Sequence, residues 1–173
     1  MTARETALRA LITFRREGAW PDLYLKKACA GLSQEDAALA AALTYGVLQN
    51  RAYLDFLIGS FSRRPPEKLT PPQLLDALRL GAYQLVFLSR IPARAAVSET
   101  VELVKQQGNP AAAGYANGVL RALARSLPCL PQVPREPALE RLSITYSHPC
   151  WFVGKMLRRL GEEGCEALLQ ADN

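Results

Sequence analysis

Three helical segments in the middle of the chain constrain its fold more than any other feature. They occupy residues 78–85, 98–105 and 115–121, and apolar residues recur in each at three- and four-residue spacing, as on one face of a helix. Pro92 and Pro110 stand between the segments, and proline is typical of helix starts. No stretch alternates apolar and polar residues between turn signals, which would indicate a strand. The sequence therefore predicts an all-α fold.

Capping signals predict further helices in the front part of the chain. Thr2 and Glu5 have the spacing of a capping box, and Gly18 is placed to end that first helix. Ser33 and Asn109 are further N-cap candidates. Besides this first helix, the expected helices are 22–30, 37–61, 71–88, 94–107 and 110–126.

Two details of these helices are specific enough to check. Gly46 lies inside the long helix and is expected to bend or divide it. Thr70, followed by Pro71, is expected to cap the next helix, because proline fits the first helical turn.

Prolines at every third position separate a short tail from the front part. They favour an extended, polyproline-like strip and exclude helix. The prolines concerned are Pro128, Pro131, Pro134 and Pro137. We interpret residues 127–137 as a semi-rigid linker that ends a front domain of residues 1–126. Residues 138–173 are expected to form a small helical hairpin, which has too little surface for an independent core and needs another surface to pack on.

Positive charge is concentrated in the front domain. The 173 residues carry a net charge of +5, with 16 Lys and Arg against 10 Asp and Glu in residues 1–126. This excess indicates phosphate as a partner. A solvated basic surface without a specific ligand is the alternative. No apolar run is long enough to cross a bilayer or to serve as a signal peptide, so we expect no membrane association and a cytoplasmic location.

Few residues have the chemistry for catalysis or metal binding. His148 is the only histidine, and the cysteines are far apart in the sequence, so we expect neither a metal site nor a catalytic residue. Pro128-Cys129 and Pro149-Cys150 have the form of the nucleophile pair of cytosine-C5 methyltransferases. We interpret both as coincidental, because no methyl-donor domain surrounds them. No glycine-rich phosphate loop follows a strand, and we expect no cofactor in these residues.

Arginine and tyrosine side chains are the remaining candidates for function. Arg4 and Arg9 lie on the first helix, and a guanidinium binds phosphate through paired donors. Tyr115 could stack on an unpaired base, with core packing as the alternative. Arg79 could contact RNA, or it could pair with an acidic residue of the 98–105 segment, Glu99 or Glu102.

The chain resembles the NusB family of RNA-binding domains over residues 3 to about 125. The resemblance is carried by residues 3–11, by Asn-Arg-Ala-Tyr-Leu-Asp at 50–55, and above all by residues 78–121. It implies an all-α bundle of two packed three-helix groups that binds RNA through a basic N-terminal helix and neighbouring helix ends. The RNA-binding residues it suggests are Arg4, Arg9, Arg79, Lys105, Tyr115 and Arg121.

Two branches of this family fit the resemblance. One is a stand-alone antitermination factor that binds single-stranded RNA with a ribosomal protein. The other is the N-terminal domain of RsmB-like ribosomal RNA cytosine-C5 methyltransferases, which use S-adenosylmethionine. The continuation of the chain beyond the family region, the Ser-His-Pro-Cys-Trp segment at 147–151 and the final residues 162–173 favour the second branch.

The favoured branch implies a non-catalytic, RNA-recognising fragment of a methyltransferase. Ribosomal RNA is then the expected partner, with a ribosomal protein as a further one. The methyltransferase domain and its S-adenosylmethionine would lie beyond Asn173. A helical adaptor that binds proteins without RNA is a third hypothesis.

Overall fold

The structure, a computed structural model, describes residues 1–173 and confirms the all-α prediction. It contains nine α-helices and no strand. The helices are α1 (Ala3–Glu17), α2 (Pro21–Ala28), α3 (Gln34–Gln49), α4 (Arg51–Phe61), α5 (Pro72–Phe87), α6 (Ala93–Gln106), α7 (Pro110–Arg125), α8 (Ala138–Thr145) and α9 (Cys150–Asp172). No helix is both long enough and apolar enough to span a membrane.

The capping residues read from the sequence begin and end several helices as predicted. The Thr2 hydroxyl accepts a hydrogen bond from the Glu5 amide at 3.2 Å, and the Glu5 carboxylate accepts one from the Thr2 amide at 3.4 Å. Gly18 ends α1 in the left-handed conformation, with φ of 64°. Ser33 and Asn109 cap α3 and α7 in the same manner as Thr2. These helix ends are therefore local properties of the sequence.

Two predicted details are wrong. The long helix is divided at Asn50 and not at Gly46. The Asn50 side chain donates to the Gly46 carbonyl at 2.9 Å, and Gly46 stays helical. Glycine is needed at position 46 because the Tyr83 ring occupies the space that a Cβ would take. Thr70 does not cap α5, since Pro71 occupies the N-cap position and no side chain caps the helix.

Helices α1 and α3–α7 form one front bundle around a single core of 26 buried residues, and α2 packs on α1 at its edge. Helices α1, α2 and α3 pack together, α5, α6 and α7 make a second group, and α4 packs against α5 and α7. Helix α5 is the central element, and nearly every residue from Leu74 to Leu85 is buried. At Gly81 the approach of α6 and α7 is so close that a Cβ would lie 2.8 Å from Leu120 and 3.1 Å from Thr100.

Helices α8 and α9 form a tail hairpin with a separate core of four buried residues. An extended strip, residues 130–137, joins the hairpin to the bundle. Helix α9 is interrupted at Gly161, where φ is 70° and ψ is 179°. The hairpin rests on the bundle through α8 and α4, and the Tyr53 amide donates to the Ser147 hydroxyl at 3.2 Å. The front bundle thus provides the surface that the hairpin was expected to need.

Candidate nucleic-acid interface

An open groove between α6 and α7 brings two of the predicted residues onto one face. One section of this α6–α7 groove, of about 660 Å³, is lined by Arg121. A second section, of about 750 Å³, is lined by Lys105. Ser98 and Asn117 line both sections, so the two are adjacent. The groove is therefore a path along the bundle with a predicted cation in each section.

Two further arginines, missed from the sequence, lie in the same groove. Arg94 is in the first turn of α6, and Arg125 is four residues after Arg121 on α7. All three arginines are exposed and none forms an ion pair. The four-residue spacing of Arg121 and Arg125 was visible in the sequence as a shared helix face, and it is the signal that could have found Arg125. Arg94 had no comparable signal.

The charge of the α6–α7 groove is positive and nearly unopposed. Its one ion pair joins Lys105 to Glu102 at 3.5 Å, and both side chains are more than half exposed. Exposed pairs of this kind contribute little, because water and salt screen them. The groove therefore offers three free guanidiniums, which bind phosphate oxygens through planar, paired donors.

Tyr115 lies in a different groove. It is half-buried, its hydroxyl hydrogen-bonds to the Ser62 hydroxyl, and Arg63 and Arg64 line the same cavity of about 360 Å³. The structure thus places Tyr115 beside two arginines that were not among the predicted binding residues, and not with Lys105 or Arg121 in the α6–α7 groove.

The two predicted arginines of α1 differ in their surroundings. Arg4 is half-buried and donates from Nε to the Gln84 Oε1 atom at 2.7 Å, which joins α1 to α5. Arg9 is exposed over 58% of its side chain and pairs with Glu5 one turn earlier on the same helix at 2.8 Å. Arg9 is therefore the more accessible of the two to a surface ligand.

Arg79 is buried in an ion-pair network, and its side chain is only 7% exposed. It donates to both carboxylate oxygens of Asp55 at 2.7 and 2.8 Å and lies 3.5 Å from Asp76, which also accepts from Arg15 at 2.8 Å. The prediction that Arg79 pairs with Glu99 or Glu102 is wrong. Because its donors point at these carboxylates, Arg79 holds α5 against α4 and offers no free guanidinium to RNA.

The same network affects a neighbouring arginine on α4. Burial lowers the pKa of Arg51, and the nearby Arg79 guanidinium lowers it further. The network contains three positive charges, on Arg15, Arg51 and Arg79. It contains two negative charges, on Asp55 and Asp76. Its ion pairs connect α1, α4 and α5.

The cysteines of the proline-rich segment and of the tail hairpin lack a hydrogen-bonded base. Cys129 and Cys150 are exposed, and neither hydrogen-bonds to a base. Burial raises the pKa of the Cys165 thiol, so this thiol is kept protonated and unreactive. No three His, Cys, Asp or Glu side chains are arranged to hold a metal ion.

S-adenosylmethionine does not fit the residues present. Nucleotide-like cofactors of α/β enzymes bind at the carboxyl ends of parallel strands, where a glycine-rich turn meets a helix. The structure has no strand, and its larger cavities are open grooves lined by arginine and small side chains. No step of methyl transfer is therefore assigned to these residues.

Together, the fold and the site define a class: a helical domain with a basic surface of the kind that binds nucleic acid. Comparison with known proteins gives the family. The NusB family matches residues 1–125, and the chain belongs to this family. A transcription antitermination protein NusB from Bacillus licheniformis is 34% identical over 130 residues, which are 73% of this chain and 96% of that protein.

Longer relatives match nearly the whole chain. A probable ribosomal RNA small subunit methyltransferase B from Bacillus subtilis is 35% identical over 170 residues, which are 96% of this chain and 37% of that protein. A methyltransferase B from Sodalis glossinidius is 33% identical over 155 residues, 89% of this chain and 34% of that protein. The chain spans under two fifths of the length of these methyltransferase relatives.

Solved structures show the same fold. Antitermination factor NusB, solved with NusE and double-stranded RNA, superposes with a TM-score of 0.63 and 26% identity over 72% of this chain and 94% of that one. The crystal structure of PH0851 gives a TM-score of 0.71 at 18% identity, covering 99% of this chain and 38% of that one. The second match shows that the front bundle and the tail hairpin recur together within a longer chain.

Proposed function

We propose that this chain is the RNA-binding part of a small-subunit ribosomal RNA cytosine-C5 methyltransferase. The observation that carries the proposal is the match beyond the family region. The methyltransferase relatives align with 96% of the chain, including the tail hairpin, whereas the antitermination protein aligns with 73%. A domain that delivered RNA to a catalytic partner would need a surface for phosphate and no catalytic group of its own.

In this proposal the α6–α7 groove is the main phosphate-binding surface. Arg121 and Lys105 act there with Arg94 and Arg125. Arg9 adds an exposed cation on α1, and Arg4 supports that helix through its bond to Gln84. Tyr115 provides an aromatic ring beside Arg63 and Arg64. We leave Arg79 out of the interface because its guanidinium is occupied within the bundle.

The methyl donor and the catalytic cysteines belong, in this proposal, to a methyltransferase domain outside these residues. S-adenosylmethionine would bind to that domain in the full-length parent. We therefore expect no methyl transfer to ribosomal RNA by the 173-residue chain. Incorporation of a labelled methyl group into ribosomal RNA by the purified chain would contradict this assignment.

A stand-alone antitermination factor is the second candidate. The relative from Bacillus licheniformis is covered almost entirely by this chain, and the solved NusB complex contains NusE and RNA. This candidate requires a protein partner for tight RNA binding. Stable capture of a ribosomal protein, with an RNA affinity that rises when that protein is added, would favour it over the methyltransferase fragment.

The test of the proposal is the salt dependence of binding to a single-stranded fragment of small-subunit ribosomal RNA. Replacing the three groove arginines by glutamine (R94Q, R121Q and R125Q together) removes up to three phosphate contacts. The slope of log K against log salt should then become shallower by about 2, since each contact on a single strand contributes about 0.7.

A matched control removes three exposed cations elsewhere: K26Q, K68Q and R135Q together. The control should keep the slope of the unaltered chain. An equal decrease of the salt slope in both variants would mean that RNA binding depends on net charge alone. The groove would then not be the binding site. No RNA binding at any salt concentration, together with salt-independent binding to a protein, would support the protein-interaction adaptor instead.

A further inference from the structure

The first half of α9 has a composition unlike the rest of the tail hairpin. Residues 150–160 contain Lys155, Arg158 and Arg159 and no acidic residue. Residues 161–172 contain four acidic residues and no cation. The interruption at Gly161 separates the two halves. The hairpin is nearly neutral as a whole, but its charges are segregated along one helix.

Two carboxylates of the acidic half of α9 pair with α8. Arg141 on α8 pairs with Glu162 at 2.7 Å and with Glu166 at 3.1 Å. Tyr146 also donates to Glu166 at 3.0 Å. None of these bonds reaches the basic half.

The basic half of α9 has no such partners. Lys155, Arg158 and Arg159 are exposed, and none forms an ion pair or a side-chain hydrogen bond with the protein. Trp151, Lys155 and Arg158 are spaced by four and then three residues, so they share one face of the helix. Leu160 lies on the opposite side, because it is nine residues from Trp151, which is two and a half turns.

Trp151 is exposed yet held in place. Trp151 is 72% exposed. Its ring contacts the Phe152 ring edge-to-face, with the ring centroids 5.9 Å apart. The Phe152 ring in turn lies 5.7 Å from the His148 ring. The Arg158 guanidinium folds back over Gly154, where a Cβ would lie 3.6 Å from it. The indole ring therefore packs on Phe152 and is otherwise exposed to solvent. A cation lies about one helical turn away.

We propose that this α9 face, made by Trp151, Lys155 and Arg158, is a second contact for unpaired RNA, outside the NusB family region. The indole stacks on one base, and the two cations hold the phosphates beside it. The inference rests on the proposed function, since it assumes that the chain binds ribosomal RNA, and it adds a site that the family match does not cover.

The charges of this face favour RNA over an apolar protein segment. An apolar partner would leave two cations without counter-charges in the contact, which costs free energy. A single strand supplies both the flat apolar ring and the regularly spaced anions. The α9 face is therefore complementary to a polyanion that has exposed bases.

The experiment uses the complete 173-residue chain with Trp20 replaced by phenylalanine, which leaves Trp151 as its only tryptophan. The probe is an oligouridylate of about 12 nucleotides, a length within the usual range of single-strand sites. Stacking should quench the Trp151 fluorescence in a saturable way, and the quenching should weaken as salt rises.

Affinities of variants complete the test. W151A should lower oligouridylate affinity about 5- to 100-fold, the usual effect of losing one stacked base. K155Q with R158Q should make the salt slope shallower by about 1.4. L160A, on the opposite side of the helix, is the matched control and should bind as the unaltered chain does.

The outcomes separate this inference from the proposed function. Normal RNA binding by the chain, with no quenching and with W151A at full affinity, would overturn the α9 contact and leave the groove in place. If no RNA binds at all, both ideas fail. If W151A keeps its RNA affinity but loses binding to a separately prepared methyltransferase domain, the face is a protein interface and the inference is wrong.

Discussion

Arg79 and Arg121 show how two arginines of one bundle divide structural and surface roles. The guanidinium of Arg79 is enclosed and bonded to Asp55 and Asp76, whereas Arg121 is exposed along the α6–α7 groove without an ion pair. Buried charges need matched partners, and exposed ones are free to meet a ligand. The same residue type therefore leads to opposite expectations at the two positions.

Replacement of Arg79 by methionine should reduce the free energy of unfolding by about 3 kcal/mol, because it leaves buried carboxylate charge without its main partner. The salt slope of RNA binding by the folded protein should not change. Chemical denaturation and RNA titration of the same sample measure the two quantities.

Replacement of Arg121 by methionine is the matched counterpart. It should leave the free energy of unfolding within about 0.5 kcal/mol, as is usual for surface changes, and should reduce the salt slope. A result in which R79M flattened the slope while stability held would return Arg79 to the RNA interface.

Single residues were predictable where their effect is local. Thr2, Ser33 and Asn109 act through hydrogen bonds to amides three residues away, so the sequence alone indicates them. The division at Asn50 and the partners of Arg79 depend on which helices meet in the bundle. Residue spacing along one chain does not contain that information, and these two predictions were wrong.

The pairing of α8 with the acidic half of α9 gives the tail hairpin a pH dependence. Hydrogen bonds from Arg141 and then Tyr146 lower the pKa of Glu166 below its ordinary value of 4.5. A carboxylate with a lowered pKa stabilises the folded state above its unfolded pKa, and that stabilisation is lost as pH falls through the folded pKa. The stabilisation is thus complete near neutrality and declines below about pH 4.5.

E166Q should therefore be less stable than the unaltered chain at pH 7, and the difference should shrink as the pH falls below 4.5, the ordinary value for a glutamate. Thermal unfolding followed at several pH values measures it. E163Q is the control, since Glu163 is exposed and forms no ion pair. A stability difference for E166Q that stayed constant down to pH 3 would contradict the role given to this carboxylate.

At the scale of helices, the sequence indicated each element but not the groove. Periodic apolar residues and proline turns predicted α5, α6 and α7 to within about one residue at most ends. Lys105 and Arg121 were selected through the family resemblance, and the structure places both in the α6–α7 groove. Arg94 could not be predicted from the sequence. It is far from Arg121 in sequence, and only the packing of α6 on α7 brings the two into one groove.

The whole molecule consists of two cores of very different size. The front bundle has 26 core residues, while the tail hairpin has four. Leu127 and Leu130 still pack against the larger core, so the bundle includes the start of the proline-rich segment. This inequality determines which part can fold without the other.

A chain ending at Gln132 should therefore keep a cooperative thermal unfolding transition and the helical content of the front bundle. An isolated peptide of residues 138–173 should be largely unfolded in water, because four core residues cannot offset its conformational entropy. Circular dichroism of both pieces tests this. A stable, cooperative peptide would show that the hairpin is independent of the bundle.

The fold class and the family could be predicted from the sequence because helix signals are local and the motif at residues 78–121 is long. The position of the hairpin could not, since it depends on a few contacts such as Tyr53 with Ser147. The sequence predicted that the hairpin packs on another surface but not that the Trp151 ring is left exposed beside Arg158.

The extended strip at residues 130–137 joins the two basic surfaces that we propose as RNA contacts. Its prolines prevent it from shortening into a helix. Arg125 stands before the strip and Trp151 lies after it, and the packing of α8 on α4 holds the tail hairpin against the bundle. In our proposal, an RNA strand that reaches both surfaces must therefore bridge a fixed separation, and the molecule selects its ligand by length as well as by charge.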